Sequence, residues 1–264
     1  MKIVVLVKQV PDLSGDIKID PKTKNLDRRD SSVVINPYDL QALTLALQLK
    51  QQFNAETCAI SMGPQKAEMA LYECLAMGID EAVLISDRAF VGSDTLATTL
   101  IIAQAIRKKI PDVTMILCGK HAVDAETGIV GPGVAERMGL PCVSNVCECP
   151  EIKNGKARVR RQSDTGYQTV SCALPAVFTI AETSSEPNYI HMNNIKKASN
   201  AHIETMTLAS LQLERSKVGI EGSPTVVGSL NLVEMNKETV MLTGDQKEAA
   251  CRIAALLQKT AKGV

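Results

Sequence analysis

The chain has 264 residues with 29 basic and 29 acidic side chains, so its formal net charge is zero. A neutral chain lacks the excess positive charge that grips nucleic-acid phosphates over a broad surface. No apolar run approaches the roughly 20 residues a membrane helix needs.

In chain order, the apolar start Ile3–Val7 reads as a strand and is too short for a signal-peptide core. A polar excursion follows from Pro11 to Arg29, in which Ile17–Asp20 and Pro21–Asn25 suggest a small hairpin. Helical patterns fall at 37–53, 65–77 and 94–109. Asn36 is placed to cap the first, Pro37 fits its first turn and Asp39 sits where a capping carboxylate would. Strands are expected at Thr57–Met62, Ala82–Ser86 and Val113–Cys118 between these helices. Alternating strands and helices, with continuously apolar strands, point to βαβ units around a buried parallel sheet.

After about residue 140 short strands follow one another at Val143–Cys147, Ala157–Arg161, Gln168–Cys172 and Ala176–Ile180, with a turn at Asn154-Gly155. They read as an antiparallel extension of the sheet, with Lys153, Lys156, Arg158, Arg160 and Arg161 on one solvated face. From Asn200 to about Leu230 the periodicity weakens and Gly, Ser and Pro accumulate, as in an extended arm. A final helix is expected over Thr243–Lys262. Thr243 and Gln246 would form its capping box, and Ala249, Ala250, Ile253, Ala254 and Leu257 an apolar stripe. Such a helix at the end of an arm needs a surface to pack on, its own domain or a partner subunit.

The eight Cys contain no C-x-x-C pair, so zinc, iron–sulfur and dithiol chemistry are not expected; they read as small buried, reduced side chains of a cytoplasmic protein. Electron handling would then require a borrowed organic cofactor. Four loops lie where strands should end, the usual place for ligands in open α/β sheets. They are Val7–Asp12, Asn36–Asp39, Ser61–Pro64 and the Gly-rich run Gly119–Gly133. The last leads from a strand into a helix, where free backbone N–H groups suit a phosphate or pyrophosphate. Neither the G-x-G-x-x-G fingerprint nor a P-loop is present. Asp124 could cap the next helix or bind a ribose hydroxyl, and His121 has no acidic or nucleophilic partner near it in sequence. No catalytic set can be assembled, which leaves a nucleotide-binding α/β protein with a partner-seeking tail.

These loops carry a family resemblance. Val-Lys-Gln-Val-Pro-Asp at 7–12, Asn-Pro-Tyr-Asp at 36–39, Met-Gly-Pro at 62–64 and Ala-Met-Gly at 76–78 resemble electron transfer flavoprotein beta subunits. So do Asp-Arg-Ala-Phe at 87–90, Gly-Ser-Asp-Thr-Leu-Ala-Thr at 92–98 and Gly-Lys-His-Ala-Val-Asp at 119–124 with Thr-Gly at 127–128. Leu-Pro-Ala-Val at 174–177 and Asn-Ile-Lys-Lys-Ala at 194–198 complete the set in order.

The resemblance implies a Rossmann-like, adenine-nucleotide-binding (HUP-type) domain over 1–200 and, over 201–264, an arm and helix that pack on an FAD-carrying alpha subunit. It implies that a nucleotide lies against Leu6, Val7, Lys8, Asn36, Met62, Asp94, Thr95, Asp124, Thr127, Gly128, Val130, Gly131, Pro132 and Gly133. In one branch of the family that nucleotide is AMP. In the electron-bifurcating branch it is a second FAD, reduced by NADH, which serves ferredoxin or flavodoxin and, through the alpha-subunit FAD, a flavin dehydrogenase for acyl-CoA or related substrates. Asp-Arg-Ala-Phe, Gly-Ser-Asp-Thr and Val-Gly-Pro are similar to the bifurcating branch, whereas Ile129 departs from the Gln often found there. His191–Ala198 resembles the dehydrogenase-docking loop, with Met192 at its apolar anchor and Asn194, Ile195, Lys196 and Lys197 beside it. The same fold would also suit a stand-alone ATP-binding stress-type regulator, but such a protein has no use for the tail.

Overall fold

In a computed structural model describing residues 1–12, 33–182, 187, 189–226, 228, 239–242 and 244–261, the apolar start forms strand β1 (Lys2–Leu6). Its Ile3 and Val5 enter one hydrophobic cluster, and Val4 and Leu6 enter a second on the opposite face. A strand covered on both faces must be apolar at successive positions, which is why the run is continuous. A short antiparallel pair, β2 (Gln9–Pro11) and β3 (Val33–Ile35), precedes helix α1 (Pro37–Phe53). The hairpin expected at 17–25 lies outside the described residues.

The alternation continues with β4 (Glu56–Met62), α2 (Glu68–Met77), β5 (Glu81–Ile85), α3 (Thr95–Lys109), β6 (Met115–Gly119) and α4 (Val130–Met138). Then come β7 (Cys142–Val146), β8 (Glu151–Lys153), β9 (Lys156–Ser163), β10 (Gly166–Ala173) and β11 (Ala176–Ile180). α5 (Met192–Ala198), β12 (Glu204–Met206), α6 (Leu208–Leu211) and α7 (Gln246–Ala261) complete the order. The central strands lie in the order β7-β11-β6-β1-β4-β5-β12, all parallel, with β9 and β10 added antiparallel beyond β7 and β8 paired to β9.

The expected antiparallel extension is present but shorter than the sequence suggests. β11 returns to the middle of the parallel sheet, its Val177 beside Ile116 of β6 and Cys142 of β7, and β7 runs parallel to it. Ala176–Ile180 is wholly buried, as a central strand must be, whereas true edge strands alternate. The antiparallel part is β8–β10 only. Its β8–β9 turn does fall at Asn154-Gly155, both left-handed. Four of the basic residues share one exposed face as expected, Lys153 paired to Lys156 with Arg158 and Arg160 beyond, while Arg161 turns to the other side and donates to Ser144 at 3.1 Å.

The chain expected to be an arm from Asn200 is packed as far as Thr225. β12 extends the parallel sheet beside β5, and Leu211 and Val218 are buried in the core. Two compact units result, Met1–Gly228 and Ser229–Val264. In the second, α7 exposes Ile253 and Leu257, while Thr243 and Lys262 lie outside the described residues. Cys58, Cys74, Cys118 and Cys172 are buried as expected, but Cys142, Cys149 and Cys251 are exposed, and Cys147 and Cys149 follow the end of β7 rather than sharing a strand. Among the described residues no helix is long and apolar enough to cross a membrane.

Candidate nucleotide site

The chain leaves β1 for β4 and β5 on one side of the sheet, then crosses through α3 to β6 on the other. The order therefore reverses between β1 and β6, and the loops leaving their C-terminal ends flank the crevice that is the general ligand position in such sheets. Residues 7–8 form one lip and residues 119–124 the other.

Both lips are held by the start of α1. Asp39 is 6% exposed. Its Oδ2 accepts from the Lys8 amide at 2.8 Å and its Oδ1 from the Gly119 amide at 2.8 Å. A Cβ on Gly119 would lie 2.6 Å from Asp39 Oδ1 and from Tyr38 Cβ, so this approach admits no side chain. Burial pushes the Asp39 carboxyl up to about 6, against the pull of the Lys8 and Gly119 amides. Asn36 stands at the N-cap position of α1 as expected, but its side chain makes no capping bond. Its Nδ2 donates to the His121 carbonyl at 2.9 Å, its Oδ1 accepts from the Val123 amide at 3.1 Å, and its own amide donates to the Lys8 carbonyl at 2.9 Å.

At the mouth, the Lys8 ammonium donates to both oxygens of Asp124 at 2.7 Å. Asp124 is thus no helix cap; α4 begins six residues later. His121 packs edge-on against Tyr38 with ring centres 4.6 Å apart, and Lys120 Nζ lies 4.5 Å from the Tyr38 ring centre. The loop turns tightly, the Glu126 amide donating to the Ala122 carbonyl, and takes left-handed φ at Glu126 and Gly128 before entering α4. The first amides of α4, at Val130 and Gly131, have no acceptor within the helix, and Pro132 has no N–H to offer.

Two glycines expected beside a phosphate have another task. A Cβ on Gly131 would lie 2.6 Å from Thr179 Cγ2 and 2.8 Å from Cys118 Sγ, and one on Gly133 2.7 Å from Thr99 Cγ2. Close packing of α4 on β6, β11 and α3 demands glycine at both.

Known proteins give the crevice a context. The electron transfer flavoprotein domain matches residues 23–211. The electron transfer flavoprotein subunit beta of Thermoanaerobacterium thermosaccharolyticum is 38% identical over 250 residues, 94% of this chain and 95% of that one. The chain belongs to the electron transfer flavoprotein family. It is also similar to the caffeyl-CoA reductase-Etf complex subunit CarD of Acetobacterium woodii, 39% identical over 228 residues and 86% of either chain. Protein FixA of Azotobacter vinelandii is 36% identical over 235 residues, covering 87% of this chain and 83% of its own.

The expected site residues separate into four groups. Lys8, Asn36 and Asp124 converge through hydrogen bonds, with Leu6 and Val7 on the same strand end and Thr127 to Gly133 continuing the second lip. Met62 ends β4, the strand next to β1. Asp94 and Thr95 begin α3, beyond β5. Asp94 caps that helix by accepting from the Ala97 amide at 3.0 Å, and its other oxygen accepts from Thr225 Oγ1 at 2.9 Å. Met192, Asn194, Ile195, Lys196 and Lys197 lie on α5, which packs against α2, away from the crevice. Met192 is 77% exposed. Asp39, read as a helix-capping carboxylate in the Asn36–Asp39 loop, instead accepts from Lys8 and Gly119; that role and the Tyr38 contacts escaped the sequence because the partners lie far along the chain.

Proposed function

We propose that this chain is the beta subunit of a heterodimeric electron transfer flavoprotein and that its crevice holds FAD. The observation that carries this reading is the two-lipped crevice at the β1/β6 switch point, with an ammonium at its mouth and unsatisfied helix amides on one lip. These features suit an anionic dinucleotide. The Lys8 ammonium meets its phosphates, exchanging Asp124 for them, and Asp124 is released toward a ribose hydroxyl. Gly128 supplies the left-handed turn that lets backbone amides approach, and the α4 amides of Val130 and Gly131 face the negative charge. Asn36 keeps the His121–Val123 backbone in place beneath it.

FAD bound here supplies hydride acceptance from NADH and one-electron release. On this proposal one electron passes to ferredoxin or flavodoxin. The other passes through the FAD of the alpha subunit to a flavin dehydrogenase. The names of two relatives, a caffeyl-CoA reductase complex subunit and an acryloyl-CoA reductase electron transfer subunit, support a CoA-ester dehydrogenase as that partner. The chain's own contribution is binding and orientation; none of its described residues is assigned a proton-transfer role. AMP in the same crevice is the alternative, favoured by the packing role of Gly131 and Gly133, which leaves fewer glycines to make room for a flavin. Anaerobic titration of the purified heterodimer with NADH tests the proposal. Bleaching of a flavin that survives selective removal of the alpha-subunit FAD is expected, and a complex that NADH cannot reduce contradicts it.

A further inference from the structure

We infer that Asp39 is the positioning residue of the crevice: its buried carboxylate ties the β1 lip to the β6 lip, and nucleotide binding depends on that carboxylate being ionised. The inference rests on the reading of the crevice as a nucleotide site. Asp39 itself is buried beneath the lips and is not required to touch the ligand.

The geometry is specific. The two amides that Asp39 accepts belong to residues 31 and 80 positions away in sequence, one on each lip. An ionised carboxylate accepts both at once. A protonated one keeps a carbonyl oxygen that accepts in full and a hydroxyl oxygen that accepts only weakly, so one lip is held less firmly. The lip then loosened carries either the Lys8 ammonium or the start of the Gly119–Gly133 run. The titratable groups that bear on Asp39 from neighbouring elements are the Lys8 ammonium at the end of β1, the Cys118 thiol on β6 and the Cys74 thiol on α2. Burial raises both thiols, so they stay neutral; the Lys8 ammonium opposes protonation of Asp39 together with the Lys8 and Gly119 amides and the Asn36 side chain. With the carboxyl pushed up to about 6, the switch falls just below neutrality.

A carboxylate that is held this way works against the fold. Its raised value means that folding favours the protonated form. Retaining a group that opposes stability at neutral pH is understandable where the ionised form serves a site.

Hydrogen exchange on the full-length chain, corrected for the intrinsic effect of pH, reads the lips directly. In the wild type, protection over 6–12 and 119–124 should fall at least tenfold between pH 7.5 and pH 5, with β4 and β5 unchanged. Asp39→Asn should show the low protection at both pH values, because an amide side chain accepts at one oxygen only. Lys8→Met removes the ammonium but keeps the backbone donor, so its pH dependence should persist with a higher midpoint. FAD binding by calorimetry, using a ligand whose pyrophosphate does not titrate in this range, should weaken roughly tenfold or more in step with protection. In Asp39→Asn it should be weak and independent of pH. A variant with wild-type protection and FAD affinity at both pH values overturns the assignment of Asp39. A wild type that binds neither FAD nor AMP at pH 7.5 overturns the nucleotide reading, whatever the lips do.

Discussion

Lys8 and Asp124 meet at 2.7 Å across the mouth of the crevice although 116 positions separate them in the chain. The pair is partly exposed, and such pairs contribute about 0–1 kcal/mol. Its significance is therefore electrostatic placement rather than stability: an ammonium is held at the point where the two lips open.

Replacing Lys8 with Met should leave the melting temperature within a degree or two of wild type and weaken binding of an anionic nucleotide by about tenfold, the usual loss for a charged hydrogen bond. The loss should shrink at high salt. Calorimetry at two ionic strengths checks this, and an affinity that does not move removes Lys8 from the site.

Gly131→Ala places two effects in opposition. Alanine in a helix gains about 1 kcal/mol over glycine. Here its methyl would meet Thr179 Cγ2 at 2.6 Å and Cys118 Sγ at 2.8 Å, both on buried strands that cannot move freely. Overpacking of this kind costs about 1–3 kcal/mol, so the variant should be less stable. Thr179→Ser in the same chain removes the nearer atom, keeps the hydroxyl that accepts from the Asn145 amide, and should recover part of the loss in denaturant melts.

Asp39 also predicts a signed pH dependence of stability. Its folded value of about 6 lies above the ordinary 3.8. Its contribution to the unfolding free energy is therefore complete below about pH 4 and is lost as the pH rises through 6, a span of about 3 kcal/mol. Subtracting the urea-unfolding curve of Asp39→Asn from that of wild type across pH 4–7 isolates this group. A difference that grows with pH has the wrong sign.

Met192 stands 77% exposed on α5, with Ile195 beside it and Lys196 and Lys197 following. A flexible apolar side chain without burial in its own fold suits an anchor for a partner's pocket. Met192→Ala should weaken dehydrogenase binding by about 10- to 100-fold and leave NADH reduction of the isolated flavoprotein unchanged. Loss of NADH reduction instead would place α5 in the wrong role.

Ending the chain after Gly228 should leave the first unit folded, because Ser223 and Thr225, which bind Asp94 and its amide, are retained. The shortened chain should fail to copurify with an alpha subunit. Stoichiometric copurification would show that α7 is not the assembly element.

Much of the fold was legible because it is local. Apolar runs marked β1, β4, β5 and β6, and α1 has the bounds 37–53 that its periodicity predicted. What could not be read is non-local. The direction of β11 depends on which strands it joins, and the succession of short strands before it suggested an antiparallel meander despite its continuously apolar run. The loops of the crevice were visible as strand ends, but Asp39 read only as a helix-capping carboxylate, since its two donors lie just past β1 and at the end of β6. Gly131 and Gly133 were visible as glycines only. Whether a phosphate or the Thr179 methyl group fills the space beside Gly131 is decided by the packing of α4.

The central claim is that the beta-chain crevice holds FAD. Releasing and quantifying the nucleotides of the native heterodimer by denaturation and chromatography tests it most directly. Two FAD per heterodimer, one of them released more readily from Lys8→Met, is the predicted result. One FAD with one AMP, or one FAD with no second nucleotide, would contradict it.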